Sequence, residues 1–466
     1  MKGIIGHAVR VPAYRIAREE IARAWQSSSP GGYKRCVRFD EDSLTLAAAA
    51  AQNCLQALSG TRVAGLIFAS TTAPYLERLN AGIIAAICDL GAGSFVLDAA
   101  SSLRAGTTAL QLALAAVPDD SAIVVCAADM REAALGSPEE MQYSDAGAAV
   151  AVGTQNVIAE LLASATTNDD FFDSVRRDRD ERVTSFASKF SSDYGYIAPV
   201  TRVVKEILAK AGKVSGEIAK FVVSSPDRRA HLQLAKKLGF NEKQLQDIGF
   251  EDGGLTGAAM PLALLSAALE SAKPGDLIAV ASFGNGADAL LFRVTDQIQC
   301  YKPRVPLAAQ KAVALDYASY TLYRKAREFF RSADQGLEIS NVFYAKEEHQ
   351  ITRLHGSACR HCGMRQFPLA QVCVGCRKAD ALDEVALART GTIYTFSEDT
   401  LYPSPLPPTV MAVVDLDGGG RIYCEVVDCL PSEVRIGMPV ELTFRKLKEG
   451  GGLYHYYWKC SPRRTA

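Results

Sequence analysis

SFVLDAASSLRAGTTALQLALAAVPDDSAIVVCAAD, residues 94–129, carries one full unit of the pattern that decides the fold. SFVLDAA (94–100) is a short apolar run closed by two serines, the length of a buried strand. RAGTTALQLALAAV supplies Ala and Leu at helical spacing, Pro118 stops it, and SAIVVCAAD (121–129) is apolar throughout. On the N-terminal side lie helical LTLAAAAAQNCLQAL (44–58), strand-like VAGLIFAS (63–70) and helical IIAAICDLG (83–91). On the C-terminal side the order returns. KFVVSS (220–225) and DLIAVASFG (276–284) read as strands, with helices in AHLQLAKKLGF and GAAMPLALLSAALESA. Strands alternating with helices in two copies predict a duplicated, layered α/β fold over residues 1–297. The polar and aromatic stretch 166–197 between the copies reads as an inserted cap.

Beyond residue 297 the pattern changes. Residues 298–350 are expected to form a helical connector, with an amphipathic helix over 307–332. Residues 381–466 break into five short β runs: GTIYTF, TVMAVVDL, RIYCEVVD, PVELTFRKL and LYHYYWKC. Five strands with Gly-rich turns predict a small barrel of the OB type.

Between connector and barrel, residues 351–380 hold Cys359-Arg-His-Cys362 and Cys373-Val-Gly-Cys376. Each two-residue spacer lets both thiolates face one ion, and four thiolates fill a tetrahedron with no position left for water. The motif predicts a structural zinc ribbon. His355 and His361 are alternative ligands, less well placed than the four sulfurs. The other eight of the 12 cysteines are scattered singly, as expected of buried thiols in a reducing compartment, so a cytoplasmic location is expected. The first residues carry no secretory-type apolar stretch, and no window reaches the length of a membrane span.

Lys and Arg number 51 against 52 Asp and Glu, a net charge of −1, which argues against a chain built for polyanions. Tyr454, Tyr456 and Trp458 alternate along the last β run, with Lys459, Arg463 and Arg464 after them, so nucleic-acid stacking on the barrel is the third-ranked reading.

CRHCGMRQFPLAQVCVGC, GTIYTFSE, VDLDGG and IGMPVEL together resemble the acyl-CoA-associated zinc-ribbon/OB proteins that partner thiolases. That resemblance spans roughly residues 340–462 and implies a module that holds or channels a CoA thioester. EDSLTLAAAAAQNCL, FASTTAPYLE, DAASSLRAGTTALQLA, YSDAGAAVAVG and SFGNGADALLF resemble hydroxymethylglutaryl-CoA synthase and its thiolase-fold relatives, over about residues 1–297. The resemblance implies a nucleophilic cysteine at a buried helix start, but that position falls on Leu103. The family's glutamate falls on Thr71 or Thr72, its histidine on or beside Ser225, and its asparagine on Leu255. Cys36 in a charged loop and Cys300 at the domain junction are the remaining candidate reactive thiols. Cys54, Cys88 and Cys126 read as core.

Two readings follow from these absences. The first is an enzyme making or breaking a carbon–carbon bond in an acyl-CoA without covalent catalysis. Its candidate acid–base groups are Tyr143, Asp145, Tyr194, Tyr196 and Asp227, and Ser101, Ser102, Gly284 and Asn285 are candidate pocket contacts. The second is a non-catalytic subunit that binds the thioester and scaffolds an active thiolase. Either implies a homodimer or a heteromer with another thiolase-fold chain, without a membrane.

Overall fold

The computed structural model describes residues 1–463 apart from 59, 179, 187, 250, 252, 308–309, 311, 325–339, 403 and 451. Helical returns place strand Arg62–Ser70 parallel to both Phe95–Ala100 and Ser121–Asp129. Ser121–Asp129 then pairs antiparallel with Ala146–Gly153, which pairs antiparallel with Gly3–Arg10. The second copy repeats this plan. Lys220–Val223 runs parallel to Leu277–Phe283, followed by antiparallel Gly286–Val294 and Ala159–Asn168. Gly3 and Ile4 pair with Glu160 and Ala159, and this seam joins the copies into one nine-stranded sheet.

Helices Ala105–Ala116 and Met260–Glu270 are the matching members of the two copies. Their small and branched residues, among them Ala109, Leu110, Leu262 and Leu265, share one apolar cluster with Val125, Val150 and Val280 of the sheet. The approach is close enough to require Gly106, where a Cβ would meet the Ala258 carbonyl oxygen at 2.5 Å. On the outer faces lie helices Ser43–Gln56 and Asn80–Ile87 in the first copy, and Ala198–Ala211 and Arg228–Leu238 in the second. Helix Ser43–Gln56 starts on a reciprocal cap, in which Asp42 accepts from the Thr45 amide and Thr45 Oγ1 accepts from the Asp42 amide. Among the described residues no helix is long and apolar enough to cross a membrane.

The connector departs from expectation. Residues 313–315 form a strand that adds to Tyr14–Ala17, itself paired with Tyr33–Cys36, and a helix begins only at 317. Strand addition satisfies backbone groups that an amphipathic helix from 307 would have satisfied within itself. The last part of that expected helix, 325–332, lies outside the described residues. Helix Asn341–Ile351 then leads into a three-stranded ribbon of His355–Cys359, Arg365–Gln366 and Leu382–Ala386. Five strands follow in the order Arg421–Glu425, Thr409–Leu416, Thr390–Asp399, Pro439–Gly450, Leu453–Pro462. The Val427 amide donates to the Cys460 carbonyl at 2.8 Å, joining the outermost strands into a barrel.

The barrel docks on the first α/β copy. Trp458, fully buried, lies edge-to-face on Phe444 and belongs to the same apolar cluster as Leu44 and Ala48 of helix Ser43–Gln56. Around this contact runs a buried ionic network. Arg38 reaches Asp40 (2.6 Å) and Glu425 (2.8 Å), while Lys459 reaches the same two carboxylates at 2.8 and 2.5 Å. Arg445 pairs with Glu41 (3.0 Å) and Asp428 (2.7 Å), and Arg10 also reaches Asp428 (3.1 Å). Tyr456 donates to Asp42 at 2.7 Å, and the Tyr454 ring meets Tyr75. The aromatic strand is therefore an internal docking face, which removes the base-stacking surface expected of a nucleic-acid binder; Arg464 is outside the described residues.

Candidate functional site

The Gly-rich turns after the strands of both copies meet at one end of the sheet, around a cavity of about 380 Å³. Leu103 enters it from the turn before helix Ala105–Ala116. Ser225 and Asp227 enter from the end of strand Lys220–Val223, and Leu255 from the turn before Met260–Glu270. Leu103, Ser225 and Leu255, three of the positions on which the sequence resemblance sets the family's catalytic groups, thus face one space. Tyr143 lines it as well, because the Leu255 amide donates to Gln142 O (2.8 Å) and the Ser144 amide to Leu255 O (3.0 Å). The insert closes the outer side. Asp173, Ser174, Ser185 and Phe186 come from a small two-stranded pair, and Ser191 and Ser192 from the π-helical turn Ser191–Ile197.

Thr71 and Thr72 do not line the cavity. Their hydroxyls and amides, with Ser70 Oγ, converge at 2.7–3.1 Å on the fully buried carboxylate of Asp129, which also accepts the Ala258 amide at 2.7 Å. Asp129 ties the end of one copy's strands to the helix start of the other. Gly257, at φ +58°, is needed beside it, because a Cβ would lie 2.1 Å from Asp129 Oδ2.

Other candidate groups are also placed elsewhere. Asp145 faces a second cavity, of about 630 Å³, and is occupied by Arg324 (2.6 Å) and the Val37 amide (2.9 Å). Tyr196 lies behind the cavity wall, its ring against Phe283, with burial pushing its hydroxyl pKa up. Tyr194 is exposed and stacks on Phe190. Ser102 Oγ donates to Gly284 O at 3.0 Å and accepts from the Arg104 amide at 3.4 Å, while Ser101 is an exposed turn residue at φ +74°. The Gly284 amide is taken by Gly286 O at 3.0 Å, and Asn285 Nδ2 donates to Phe171 O at 3.2 Å. Arg104 fastens this loop by donating to Asn285 O, Ala287 O and Asp288.

Among the described residues no cysteine lines the cavity. Burial pushes the thiols of Cys36, Cys54 and Cys88 up to about 12, and that of Cys126 well above its ordinary value. Cys36 corrects an expectation: it closes the buried strand Tyr33–Cys36 instead of sitting in an open loop. Cys300 is exposed and away from the cavity. Two lining residues carry no signal in the sequence. Arg131, in the loop after strand Ser121–Asp129, and Glu139, in the short helix Pro138–Gln142, resemble ordinary surface charge.

In the ribbon, Cys359 and Cys376 sulfurs are 3.6 Å apart and those of Cys362 and Cys373 are 3.5 Å apart. A tetrahedral ion with metal–sulfur bonds of about 2.3 Å needs edges of about 3.8 Å, so the four sulfurs fit one. Amides of Cys376 and Gly375 lower the Cys373 thiol to about 6, and those of Cys362 and His361 lower Cys359. Cys362, approached by the Met364 amide but crowded by the other sulfurs, is raised to about 11. A cation is what lets all four ionise together. His361 approaches Lys378 at 3.4 Å, and His355 lies between Asp89 (3.0 Å) and Glu384 (2.6 Å), so neither belongs to the sulfur cluster.

Residues 208–293 match the family model of the C-terminal part of 3-oxoacyl-[acyl-carrier-protein] synthase III, and residues 384–445 match the C-terminal OB-fold domain of ChsH2. Hydroxymethylglutaryl-CoA synthase of Methanocaldococcus jannaschii is 30% identical over 346 residues, covering 70% of this chain and 99% of the relative. That of Picrophilus torridus is 30% identical over 357 residues, covering 71% and 99%. A crystal structure of hydroxymethylglutaryl-CoA synthase complexed with CoA superposes with a TM-score of 0.61 at 18% identity, covering 69% of this chain and 90% of that one. 3-Oxoacyl-[acyl-carrier-protein] synthase III of Aquifex aeolicus superposes with a TM-score of 0.54 at 20% identity, covering 63% and 100%. The thiolase-like α/β fold carries an OB-fold domain at its C-terminal side, and the chain belongs to the hydroxymethylglutaryl-CoA synthase family.

Proposed function

We propose that this chain binds a CoA thioester with its acyl group in the cavity beside Leu103, and makes or breaks a carbon–carbon bond without an acyl-enzyme. The observation that carries the reading is Leu103 itself: a hydrocarbon side chain stands at the helix start, and no cysteine lines the cavity among the described residues. The CoA complex of the structural relative supports a thioester ligand.

A retro-aldol step fits such a site. A base removes the hydroxyl proton of a 3-hydroxyacyl-CoA, and the C2–C3 bond breaks. C3 becomes a carbonyl, the electron pair forms the thioester enolate, and a proton returns to C2. Tyr143 and Asp227, both on the cavity wall, are the acid–base pair of this proposal. The Leu103 amide, at the positive end of helix Ala105–Ala116, stabilises the enolate oxygen. The four ribbon thiolates hold one zinc ion, which fixes the fold of that module and takes no part in the reaction.

Incubation with a 3-hydroxyacyl-CoA, read by mass spectrometry of the products, tests the enzyme reading. Release of a shorter acyl-CoA with a carbonyl compound supports it, and its loss in Asp227→Asn together with Tyr143→Phe assigns the groups. Binding of the thioester without turnover rejects the enzyme reading and leaves the second, a subunit that scaffolds an active thiolase. That second reading, like a homodimer of the first, needs a surface for another chain. Edge strand Phe95–Ala100 exposes Phe95 (43%) and Leu97 (40%) beside unpaired backbone groups, as a strand does that pairs with another chain. Co-purification with a cysteine-bearing thiolase-fold chain would establish it.

A further inference from the structure

Three donor atoms of the metal-binding kind meet where the connector, the ribbon and the first α/β copy join. His349 comes from helix Asn341–Ile351, His355 from strand His355–Cys359 and Glu384 from strand Leu382–Ala386. Leu354, fully buried at φ +61°, turns the chain between the two histidines, whose ring centroids lie 5.5 Å apart. His355 pairs with Ala386 and Ser357 with Glu384, so His355 and Glu384 are diagonal neighbours on one face of the ribbon. Both imidazoles aim Nδ1 at Glu384 Oε1, each at 2.6 Å, and the ligand atoms of the three residues lie within 4.8 Å of one another.

The outer ring nitrogens are matched as well. His355 Nε2 lies 3.0 Å from Asp89 Oδ2, and His349 Nε2 lies 3.7 Å from Glu348. Arg353 steadies both of these carboxylates, Asp89 at 3.2 Å and Glu348 at 3.1 Å. Each imidazole thus faces carboxylate oxygens from both nitrogens, and a neutral imidazole has only one N–H to give. With that proton on Nε2, two Nδ1 lone pairs point at one Glu384 oxygen, and a cation placed among the three satisfies them all. Histidines that ligate metals are held in this way, with a carboxylate on the far nitrogen fixing the tautomer.

Two imidazoles and a carboxylate are a zinc-type donor set, with bonds of about 2.0–2.2 Å and ligand–ligand edges of about 3.4 Å. Opening the 2.6 Å contacts to that edge takes less than about 1 Å, and the His349 and Glu384 side chains are exposed enough to move (55% and 42%). None of the three residues lines the Leu103 cavity, so such an ion acts on the fold and not on the thioester. We propose that His349, His355 and Glu384 form a second zinc site, which clamps the connector helix to the ribbon and, through Asp89, both to the first α/β copy. A second proton on each ring is the competing way to satisfy the same contacts, and it needs no metal.

Equilibrium dialysis of the full chain against about 10 μM free zinc, which fills a site of micromolar affinity, separates the two. Wild type is expected to hold about two zinc ions per chain, one on the ribbon thiolates and one here, and His349→Ala about one. His349 is exposed, so its variant keeps the fold, and Glu384→Gln repeats the test with a side chain of the same shape. One ion per chain in wild type, or two in either variant, overturns the proposal. Loaded as cobalt(II), the ion that the variants lose gives no thiolate charge-transfer band; such a band assigns it to cysteines and overturns the proposal too. Hydrogen exchange reads the clamp. Raising free zinc from about 0.1 to about 10 μM slows the amides of helix Asn341–Ile351 at least about threefold in wild type and leaves them unchanged in His349→Ala. No slowing in wild type, or equal slowing in both, contradicts the clamp.

Discussion

Asp129 and Gly257 show how single positions hold the two copies together. The Asp129 carboxylate takes donors from Ser70, Thr71, Thr72 and Ala258, so truncating it strands several buried donors at once. Asp129→Ala is expected to destabilise by about 2–4 kcal/mol in urea unfolding, since each stranded donor costs about 1–3 kcal/mol with partial relaxation. A loss under about 0.5 kcal/mol would show that the donors find other partners. Thr71 and Thr72 were expected to stand where the family keeps a glutamate, whereas the fold turns both to Asp129, a task hidden in the sequence because it depends on a carboxylate about sixty residues away. Leu103 and Ser225 could be picked out because each follows a strand, and Leu255 because it lies in a Gly-rich turn before a helix. Arg131 and Glu139 were not: an arginine in a loop and a glutamate in a short helix look alike in sequence whether they face water or a cavity.

The ribbon and the barrel are elements whose chemistry was readable at different depths. Two Cys-x-x-Cys pairs announce a metal module locally, and the sulfur spacings agree with one. Cys362→Ser is expected to lose the ion, measured as zinc per chain by elemental analysis, and to expose the ribbon to proteolysis near residue 370. Full zinc content in that variant would place the ion elsewhere. The docking of the barrel was hidden, because its charges are spread from Arg10 to Lys459 and only the folded chain brings them together. Arg38→Met leaves Asp40 and Glu425 short of a partner in a buried setting and is expected to cost about 3–5 kcal/mol. An unchanged urea midpoint would mean that the network is not closed in solution.

Across the whole molecule, stability should fall as the pH drops below about 6.5. His7, its ring tilted against that of Tyr301, and His231, in helix Arg228–Leu238, are both lowered to about 4 by burial. The unfolded chain binds their protons at about 6.5 and the folded chain does not. Their contribution is therefore full above that pH and is lost between 6.5 and 4, at about 1.4 kcal/mol per pH unit for each. Asp40 and Glu425 add to the loss further down. Burial raises them, but Arg38 and Lys459 pull both below the ordinary carboxylate range. His355, raised by Asp89 and Glu384 against the effect of burial, acts in the opposite sense. Urea midpoints measured from pH 8 to pH 4 should decline, and His7→Phe should flatten the slope above pH 4. A flat profile in wild type would mean that water reaches both imidazoles.

The overall α/β duplication and the barrel were visible as periodicity, whereas the way the connector adds a strand at 313–315 was not, since three residues carry no period. What the fold leaves at its centre is a helix start without a sulfur. Intact-protein mass spectrometry after a single incubation with acetyl-CoA addresses that directly. The chain should keep its unmodified mass at every time point, with Leu103→Cys as the variant able to gain an acetyl group. A stable acetyl adduct on any cysteine of the wild-type chain would contradict the noncovalent account.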